Sequence, residues 1–503
     1  MSNRFPPLDL YSDFQEPGRF EADVHGLEVE GTIPAALRGN YYRLTPDPAW
    51  PPRHANPIPF DGDGAISMFR FAAGHVDFRH RYVRTERFLA ERAARRALFG
   101  AYRNPDTDDP RVAGIDRSVA NTTPLWYRQR LYALKEDGLP LEIDPHTLAT
   151  LGRCNFDGQY NCPHFTAHPK VDPVTGDLHA FGFAARGPGT SDIAYYCFDR
   201  HGVKTHEYWF TAPYASMVHD FAVTPGYVVF AIVPYTSDLE RMRAGAPYFM
   251  WDPRLPSYLG VLPRSATALA AAAANFDSSA AAGPRWFSGP ARYSAHFFNA
   301  HERGRQIVLD HPSAAGNALP FFPDVTGARA RLEQVAPRIT RWTIDLADGN
   351  DQIVEQRLAE WPCEFPRIDD RYLMRAQRYG FAACQDASQP WRGRTLLRRP
   401  LFGLNCVLRH DFSSGQTALW FAGTAALVEE PQFVPRHAEA AEGDGFLLVL
   451  VNRYDERRTD LVILDAQQLA APPLAIARLP LRLRSGLHGC WVPEEQLPPR
   501  SAS

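Results

Sequence analysis

A short recurring pattern limits the fold of this chain more than any other feature of the sequence. In it an apolar residue is followed by an aspartate, a turn and another run of strand-forming residues, at Asp144, Asp199, Asp345, Asp411 and Asp465. The spacing favours a repeat of roughly 50 to 65 residues, and the interval from Asp199 to Asp345 has room for two or three units. Repeats of this length are typical of propeller blades, in which a hairpin closes each meander of antiparallel strands. The alternative, that these are only common hairpin turns, stays open at this point.

The rest of the chain favours strands over helices. Turn-forming residues are abundant, with 35 Gly and 44 Pro, and short runs of β-formers such as residues 227–233 and 446–451 lie between them. Helical patterns are confined to residues 85–98 and to an alanine-rich stretch at 265–276. We therefore predict an all-β propeller.

The domain organisation follows from this pattern. We expect a single propeller domain over residues 1–503, with an N-terminal extension at 1–20 and a tail at 494–503. The alanine-rich insertion at 265–282 is expected to cap the pocket or to pack a homodimer.

Composition excludes several classes of function. The formal charge is −3 and the charges are mixed along the chain, so no basic stripe suits nucleic acid. The N-terminus has no apolar signal region, and no run of 18 apolar residues occurs, so we expect neither secretion nor membrane insertion. Seven cysteines without a CxxC pair indicate reduced thiols in a cytoplasmic protein.

Four of the 17 histidines stand in or beside apolar, strand-like runs, where an uncompensated imidazole is costly. They are His168, His219, His296 and His488. No local loop spans their separations, whereas the inner strands of a propeller all approach one axis. Spacing alone leaves the ordinary interpretation open, in which each is a hydrogen-bonded core residue.

Longer motifs carry a resemblance to a known family. From about residue 20 to Pro493 the chain resembles the carotenoid cleavage oxygenases. The motifs, in the family's order, are LRGNYYRLTPDPAW, FDGDGAISMFRF, FTAHPKVDPVTGDLHAFGF, MVHDFAVT, YLGVLPR, RWF, HFFNAHE, EFPRIDDR, QFVPR, EGDGFLLVLV and LHGCWVP. The resemblance implies a seven-bladed β-propeller with a cap of helices and loops over the metal face.

The resemblance also implies a metal centre. One iron(II) per chain would be bound on the propeller axis by His168, His219, His296 and His488, with dioxygen as co-substrate. Imidazole also suits zinc and copper, so ligand type alone does not name the metal. The competing histidines nearby in the sequence are His164, His179 and His301.

Three glutamates are expected behind the ligands, because a ligating histidine usually donates its other N–H to a carboxylate or carbonyl. By the resemblance they are Glu136, Glu364 and Glu442, paired with His219, His296 and His488 in that order. This leaves His168 without an acidic partner.

Three further residues point to one branch of the family. Phe60, Tyr102 and Lys135 resemble the set with which lignostilbene dioxygenases bind a ring and its 4-hydroxyl group. The implied activity is cleavage of the central alkene of para-hydroxystilbenes into two aromatic aldehydes. Lys135 and Glu136 would face opposite sides of a regular strand, so both serve the site only if the strand ends or twists there, which the following Asp-Gly pair favours.

Three alternatives remain at this level. A carotenoid or apocarotenoid dioxygenase would share the iron site but would need an apolar tunnel, in which Lys135 is awkward. A non-catalytic propeller scaffold would bind no iron. A propeller hydrolase would need paired carboxylates, and no acid pair is left unexplained by the four-histidine interpretation.

Overall fold

The computed structural model describes residues 4–265, 283–329, 335–347, 349–391 and 403–500. Over these ranges the chain forms antiparallel sheets that are arranged as seven blades, which confirms the predicted propeller. One continuous sheet of seven strands contributes two of the blades, because its long central strand pairs with a different neighbour along each half.

From blade 2 to blade 6 the strands follow one another around the ring in chain order. The first five strands of the chain are β1 (Ala22–Val24), β2 (Glu28–Gly31), β3 (Gly39–Pro46), β4 (Gly64–Ala72) and β5 (His75–Tyr82). Blade 2 consists of β6 (Thr123–Tyr127), β7 (Arg130–Leu134), β8 (Leu141–Ile143) and β9 (Thr150–Arg153). Blade 3 consists of β10 (Lys170–Val171), β11 (Leu178–Phe183), β12 (Asp192–Phe198) and β13 (Lys204–Thr211).

Blade 4 carries an additional hairpin between its second and third strands. Its strands are β14 (Phe221–Val223), β15 (Tyr227–Ile232), β18 (Ser257–Pro263) and β19 (Arg285–Gly289), and the hairpin is β16 (Tyr235–Ser237) with β17 (Phe249–Trp251). Blade 5 consists of β20 (Asn299–Arg303), β21 (Gln306–Ser313), β22 (Arg338–Asp345) and the first half of β23 (Val354–Arg367). Blade 6 consists of the second half of β23, then β24 (Tyr379–Cys384), β25 (Cys406–Asp411) and β26 (Thr417–Phe421).

The ring is closed by strands from both ends of the sequence. The last strands are β27 (Ala426–Val428), β28 (Gln432–Pro435), β29 (Gly445–Arg453), β30 (Arg458–Asp465), β31 (Ala475–Arg478) and β32 (Gly489–Pro493). Blade 1 is ordered β1-β5-β4-β3-β32, so its inner edge comes from late in the sequence. Blade 7 is built on β27 to β31, and β2 from early in the sequence adds its outer edge.

The recurring aspartates lie in the turns of the outer hairpins. Each ends or directly follows the third strand of its blade and accepts hydrogen bonds from backbone N–H groups a few residues on. At Asp411 these come from Ser413 and Ser414 at 2.9 and 3.2 Å. Blades 2, 3, 5, 6 and 7 contain this turn. In blade 1 the corresponding hairpin joins β4 to β5 through a two-residue turn at Ala73 and Gly74, and β1 adds a fifth strand outside it. In blade 4 the corresponding connection leaves β18 at Pro263 and includes the alanine-rich stretch.

Apolar side chains fill the spaces between neighbouring blades. Val229 and Leu259 of blade 4, for example, pack with Leu309 and Trp342 of blade 5. Trp342 is 1% exposed, and truncating such a side chain to Ala costs about 3–5 kcal/mol. This packing between blades holds the inner edges around one axis.

Within the described ranges two α-helices lie in the segments between strands. The predicted helix at 85–98 is observed as α1 (Glu86–Ala94), whose first turn is capped by Thr85 Oγ1 accepting from the Phe88 N–H at 3.0 Å. The second is α2 (Leu239–Arg243). Apart from Ser265, the helix expected at 265–276 lies outside the described residues. Short 3-10 turns occur at Asp9–Tyr11, Asp13–Gln15, Pro59–Asp61, Pro105–Thr107, Pro110–Val112, Asp370–Tyr372 and Glu494–Gln496. Over the described ranges no helix has the length and hydropathy needed to cross a bilayer.

Candidate metal centre and substrate cavity

The four predicted histidines meet at one point. Each stands just before a strand at the edge of its sheet: His168 before β10, His219 before β14, His296 before β20 and His488 before β32. One ring nitrogen from each lies within 4.8 Å of the others. The Nε2 atom of His219 is 3.1 Å from that of His168 and 3.1 Å from that of His296. The propeller thus brings together residues that are far apart in sequence, as predicted.

In His219 and His296 the hydrogen bond at Nδ1 determines whether Nε2, which faces the other histidines, carries a proton or a free lone pair. His219 Nδ1 lies 2.6 Å from Glu136 Oε1, and His296 Nδ1 lies 2.7 Å from Glu364 Oε2. An ionised carboxylate only accepts, so in each pair the imidazole donates its Nδ1–H. A neutral ring then presents a bare lone pair at Nε2. Two lone pairs at 3.1 Å repel each other unless a cation lies between them.

The donor set fits a metal ion. Imidazole nitrogens bind zinc at about 2.0–2.1 Å, so two nitrogens that share an ion of this size lie roughly 3 Å apart. The observed 3.1 Å separations match this value. An all-imidazole set suits iron, zinc and copper. We conclude that the cluster is a candidate metal centre.

The two glutamates behind the ligands are buried and ionised. Burial alone would raise the pKa of Glu136, but the His219 ring and then Lys135 and Arg103 bring that pKa well below its ordinary value. Burial likewise acts against the charge of Glu364, and the His296 ring lowers its pKa below the ordinary value. Both predicted pairings are therefore present.

The predicted pairing of Glu442 with His488 is wrong. Glu442 accepts from the backbone N–H groups of Arg378 and Tyr379 at 2.6 and 3.0 Å, in a turn next to β29. His488 Nδ1 instead lies 2.9 Å from Glu430 Oε1, and Glu430 is 3% exposed. The sequence signal for Glu430 is its place in VEEPQFVP, between two buried strands, whereas the Gly-Asp-Gly following Glu442 is typical of a solvated turn.

His168 differs from the other three ligands. Within the described part of the chain no carboxylate lies in hydrogen-bond range of its ring, as the resemblance implies. Burial, followed by the neighbouring imidazoles of His219, His488 and His296, holds the pKa of His168 well below its ordinary value. The ring is therefore neutral at pH 7 and able to offer a lone pair.

The competing histidines lie elsewhere. His164 Nδ1 donates to the Phe183 carbonyl at 3.0 Å. His179 is fully buried in blade 3, where its Nδ1 lies 2.7 Å from Tyr195 Oη. His301 is in the middle of β20, and burial lowers its pKa. These three are outside the four-histidine cluster.

A cavity lined mainly by apolar and aromatic side chains reaches the cluster. All three predicted substrate residues line it, together with His219, His296 and His488. The Lys135 Nζ atom lies 5.3 Å from the centre of the Phe60 ring and 5.4 Å from that of Tyr102. The structure thus brings Phe60, Tyr102 and Lys135 together beside the histidines.

Lys135 and Glu136 serve the same site because the strand ends before them. β7 ends at Leu134, and the next residues form a turn in which the Gly138 N–H reaches the Lys135 carbonyl at 3.4 Å. This removes the strict alternation of faces. The predicted end of the strand is confirmed.

Besides Glu430, sequence reasoning missed Tyr293. Tyr293 is 1% exposed, lines the cavity and donates from Oη to Glu364 Oε1 at 2.7 Å. Burial and the Glu364 charge raise the pKa of Tyr293 well above its ordinary value, so the phenol stays protonated as a donor. Its only sequence signal is its position three residues before His296.

The fold and the site together define a class of protein: a seven-bladed propeller whose four clustered histidines, three of them backed by buried glutamates, could hold a metal ion beside a cavity. The family model described as RPE65, retinal pigment epithelial membrane protein, matches residues 15–493. The chain belongs to this family, the carotenoid cleavage oxygenases, as its motifs predicted.

Individual relatives are similar over nearly the whole length. Isoeugenol monooxygenase of Pseudomonas nitroreducens is 46% identical over 95% of this chain and 96% of its own. Lignostilbene-alpha,beta-dioxygenase isozyme III of Sphingomonas paucimobilis is 42% identical over 98% of this chain and 99% of its own. The crystal structure of lignostilbene dioxygenase of Pseudomonas brassicacearum superposes with a TM-score of 0.91 at 42% identity, covering 98% of this chain and 100% of that one.

Proposed function

We propose that this chain is a non-haem iron(II) dioxygenase that cleaves an alkene conjugated to a para-hydroxyphenyl ring, giving aldehydes. The observation that carries the proposal is the buried ammonium of Lys135 in the cavity that also reaches the histidine cluster. A charged group inside a protein needs polar partners. A substrate phenol oxygen would supply one and would hold the rest of the molecule towards the histidines.

The Lys135 ammonium has N–H donors available for a ligand. Its side chain is 3% exposed, and its one hydrogen bond within the described ranges goes to the Phe60 carbonyl at 3.3 Å. An ammonium has three N–H donors, so two remain for a ligand. The aromatic rings of Phe60 and Tyr102 flank this position and provide a surface for a planar phenol.

The same cation makes the phenol more acidic. A positive charge near a hydroxyl favours its ionised form and lowers its pKa. The phenolate that forms is conjugated with the alkene, so electron density moves from the ring towards the double bond. Burial raises the pKa of Tyr102 above its ordinary value, which keeps Tyr102 protonated as a second donor to the phenolate oxygen.

The metal would be held by His168, His219, His296 and His488, with Glu136, Glu364 and Glu430 fixing three of the rings. Iron(II) bound there supplies the activation of dioxygen. The protein's contribution is to aim the ligands, to hold the phenol at Lys135 and to keep water out of the cavity. An alkene cleaved by one dioxygen molecule gives two carbonyl groups and consumes both oxygen atoms.

Within this class we propose para-hydroxystilbenes as the substrates, as the resemblance implied. Similarity to lignostilbene dioxygenases over nearly the full length supports this choice. A second candidate is a 4-hydroxyphenylpropene, because isoeugenol monooxygenase is also highly similar. Both substrates present the same phenol to Lys135, and they differ in what occupies the far end of the cavity. A carotenoid has no phenol and would leave the ammonium without a partner.

The test is turnover of matched substrates by the iron-loaded protein. We expect rapid cleavage of 4-hydroxystilbene and little cleavage of its 4-methoxy analogue, which cannot ionise and leaves Lys135 unsatisfied. Lys135→Met and Tyr102→Phe should lower turnover by about 10²- to 10⁴-fold. Both variants should retain iron, because neither residue belongs to the histidine cluster.

Isoeugenol and a carotenoid complete the panel. A higher kcat/KM for isoeugenol than for hydroxystilbene would transfer the proposal to the phenylpropene. Labelled dioxygen shows whether one or both oxygen atoms enter the products. Equal rates on the hydroxy and methoxy compounds, or carotenoid cleavage that survives Lys135→Met, would contradict the role of the phenol.

The setting of the enzyme is also a proposal. We infer that it acts in the cytoplasm on a small aromatic molecule, without nucleic acid or membrane insertion, as a single propeller domain that is able to form a homodimer. Seven free cysteines, five of them buried, support a reducing compartment. Cell fractionation and the mass of the protein in solution test these points.

A further inference from the structure

A buried aspartate links the segments that carry three of the four histidines. Asp220 follows His219 directly and is 4% exposed. Its Oδ1 accepts from the Lys170 ammonium at 2.7 Å and from the Phe221 N–H at 2.8 Å. Its Oδ2 accepts from the Phe297 N–H at 3.0 Å. The carboxylate therefore bonds to three different points of the chain.

These contacts lead to three ligand segments on neighbouring blades. Lys170 is the first residue of β10, just after His168, and Phe297 immediately follows His296. Asp220 itself adjoins His219, just before β14. Through one side chain, the inner edges of blades 3, 4 and 5 are tied together next to the metal centre.

Asp220 borders a cavity other than the substrate cavity. This second cavity is also bordered by His168, His296 and His488. Neither Asp220 nor Lys170 lines the cavity that contains Lys135. Any effect of Asp220 on the reaction must therefore pass through the histidines.

We infer that Asp220 is a positioning residue, which sets the mutual distances of His168, His219 and His296 and so tunes the affinity of the centre for its metal. The inference rests on the proposed metal-binding function. Only a carboxylate meets the requirement, because donors approach both oxygens. In Asn the amide NH₂ replaces one acceptor, so it faces either the Phe297 N–H or the Lys170 ammonium, and one link is lost.

The test is metal affinity of the full chain, measured by anaerobic titration of the metal-free protein with Fe²⁺ and with Co²⁺. We expect Asp220→Asn to weaken binding by about 10- to 100-fold, the usual loss when a ligand's orienting partner is removed. The cobalt absorption spectrum should shift, because the ligand geometry changes. In the iron-loaded variant kcat should fall while KM for the phenolic substrate stays at its wild-type value.

Asp310→Asn is the matched control. Asp310 is 0% exposed in blade 5, and its carboxylate bonds to the side chains of Arg341 and Gln377, at 2.7 and 2.9 Å, and, among the described residues, to no backbone group beside a histidine ligand. The control should lose a similar amount of stability and keep wild-type metal affinity. Lys170→Met removes one of the three links and leaves both backbone bonds, so it should lose affinity by a smaller factor, and it replaces the Asn variant if that protein does not fold.

The possible results distinguish failure of the positioning role of Asp220 from failure of the proposed metal-binding function. If the wild type binds neither metal, the proposed metal centre fails. If the wild type binds tightly and Asp220→Asn or Lys170→Met binds equally well with an unchanged cobalt spectrum, Asp220 has no positioning role. Equal losses in Asp220→Asn and Asp310→Asn would show a general effect of stability and would also overturn the inference.

Discussion

The pairing of Glu430 with His488 makes the sharpest prediction. Glu430 Oε1 accepts from His488 Nδ1–H at 2.9 Å, and its Oε2 accepts from the Gly489 N–H at 2.8 Å. In Glu430→Gln only one oxygen remains, so one of these donors faces the amide NH₂. A buried hydrogen bond to a charged group contributes about 1.5–3 kcal/mol. Since 1.36 kcal/mol corresponds to a factor of ten, we expect iron affinity to fall by about 10- to 100-fold.

Glu442→Gln is the matched comparison. The N–H groups of Arg378 and Tyr379 both reach Oε1 of Glu442, and a glutamine retains that oxygen. This variant should therefore keep wild-type iron affinity and turnover. The assay is anaerobic Fe²⁺ titration of both metal-free variants against a competing chelator, with thermal unfolding to confirm the fold. Loss of iron in Glu442→Gln together with normal binding in Glu430→Gln would refute the assignment.

Three further predictions concern the centre and the stability of the chain. Alanine at any of the four clustered histidines should abolish iron binding, whereas His179→Ala should leave the iron content per chain unchanged; iron analysis of the purified variants decides this. Tyr293→Phe removes a donor from Glu364 and should lower iron affinity by up to about tenfold, and an unchanged dissociation constant would contradict that role. Burial and the nearby Glu91 raise the pKa of Asp63 to about 7, so between about pH 4 and 7 the folded state holds a proton that the unfolded state has lost, and the free energy of unfolding falls as pH rises. Denaturant titrations across this window should show a flatter profile for Asp63→Asn, and an identical slope in both proteins would exclude Asp63 as the cause.

The sequence carried the blade pattern because outer hairpins depend on local chemistry. An aspartate whose carboxylate accepts from the N–H groups of the following residues forms the same turn wherever it occurs. Five blades are therefore recognisable in the sequence by this aspartate. Blades 1 and 4 are not recognisable in this way, because a two-residue turn at Ala73 and Gly74 closes the hairpin in one and a long connection replaces the hairpin in the other. As far as the structure describes them, neither connection contains the aspartate turn.

The sequence predicted those residues of the site that lie in recognisable motifs. The four histidines and Glu364 lie in or beside apolar runs, where a buried polar side chain is costly unless it has a bonding partner. Glu442 and Glu430 show the limit: both are glutamates near strand ends, and only the path of the chain between β27 and β28 decides which one reaches His488. Tyr293 was missed because a buried tyrosine is ordinary until its hydrogen-bond partner is known.

The way in which the ring closes couples metal binding to folding. His488 immediately precedes β32, the strand that completes blade 1 by pairing with β3. A cation held by all four histidines would thus span the closure and join this last strand to blades 3, 4 and 5. By thermodynamic linkage, whatever favours occupancy of the centre also favours the closed ring. Chelation should accordingly loosen β32 first, and amide exchange along Gly489–Pro493 would report the state of the metal without any measurement of turnover.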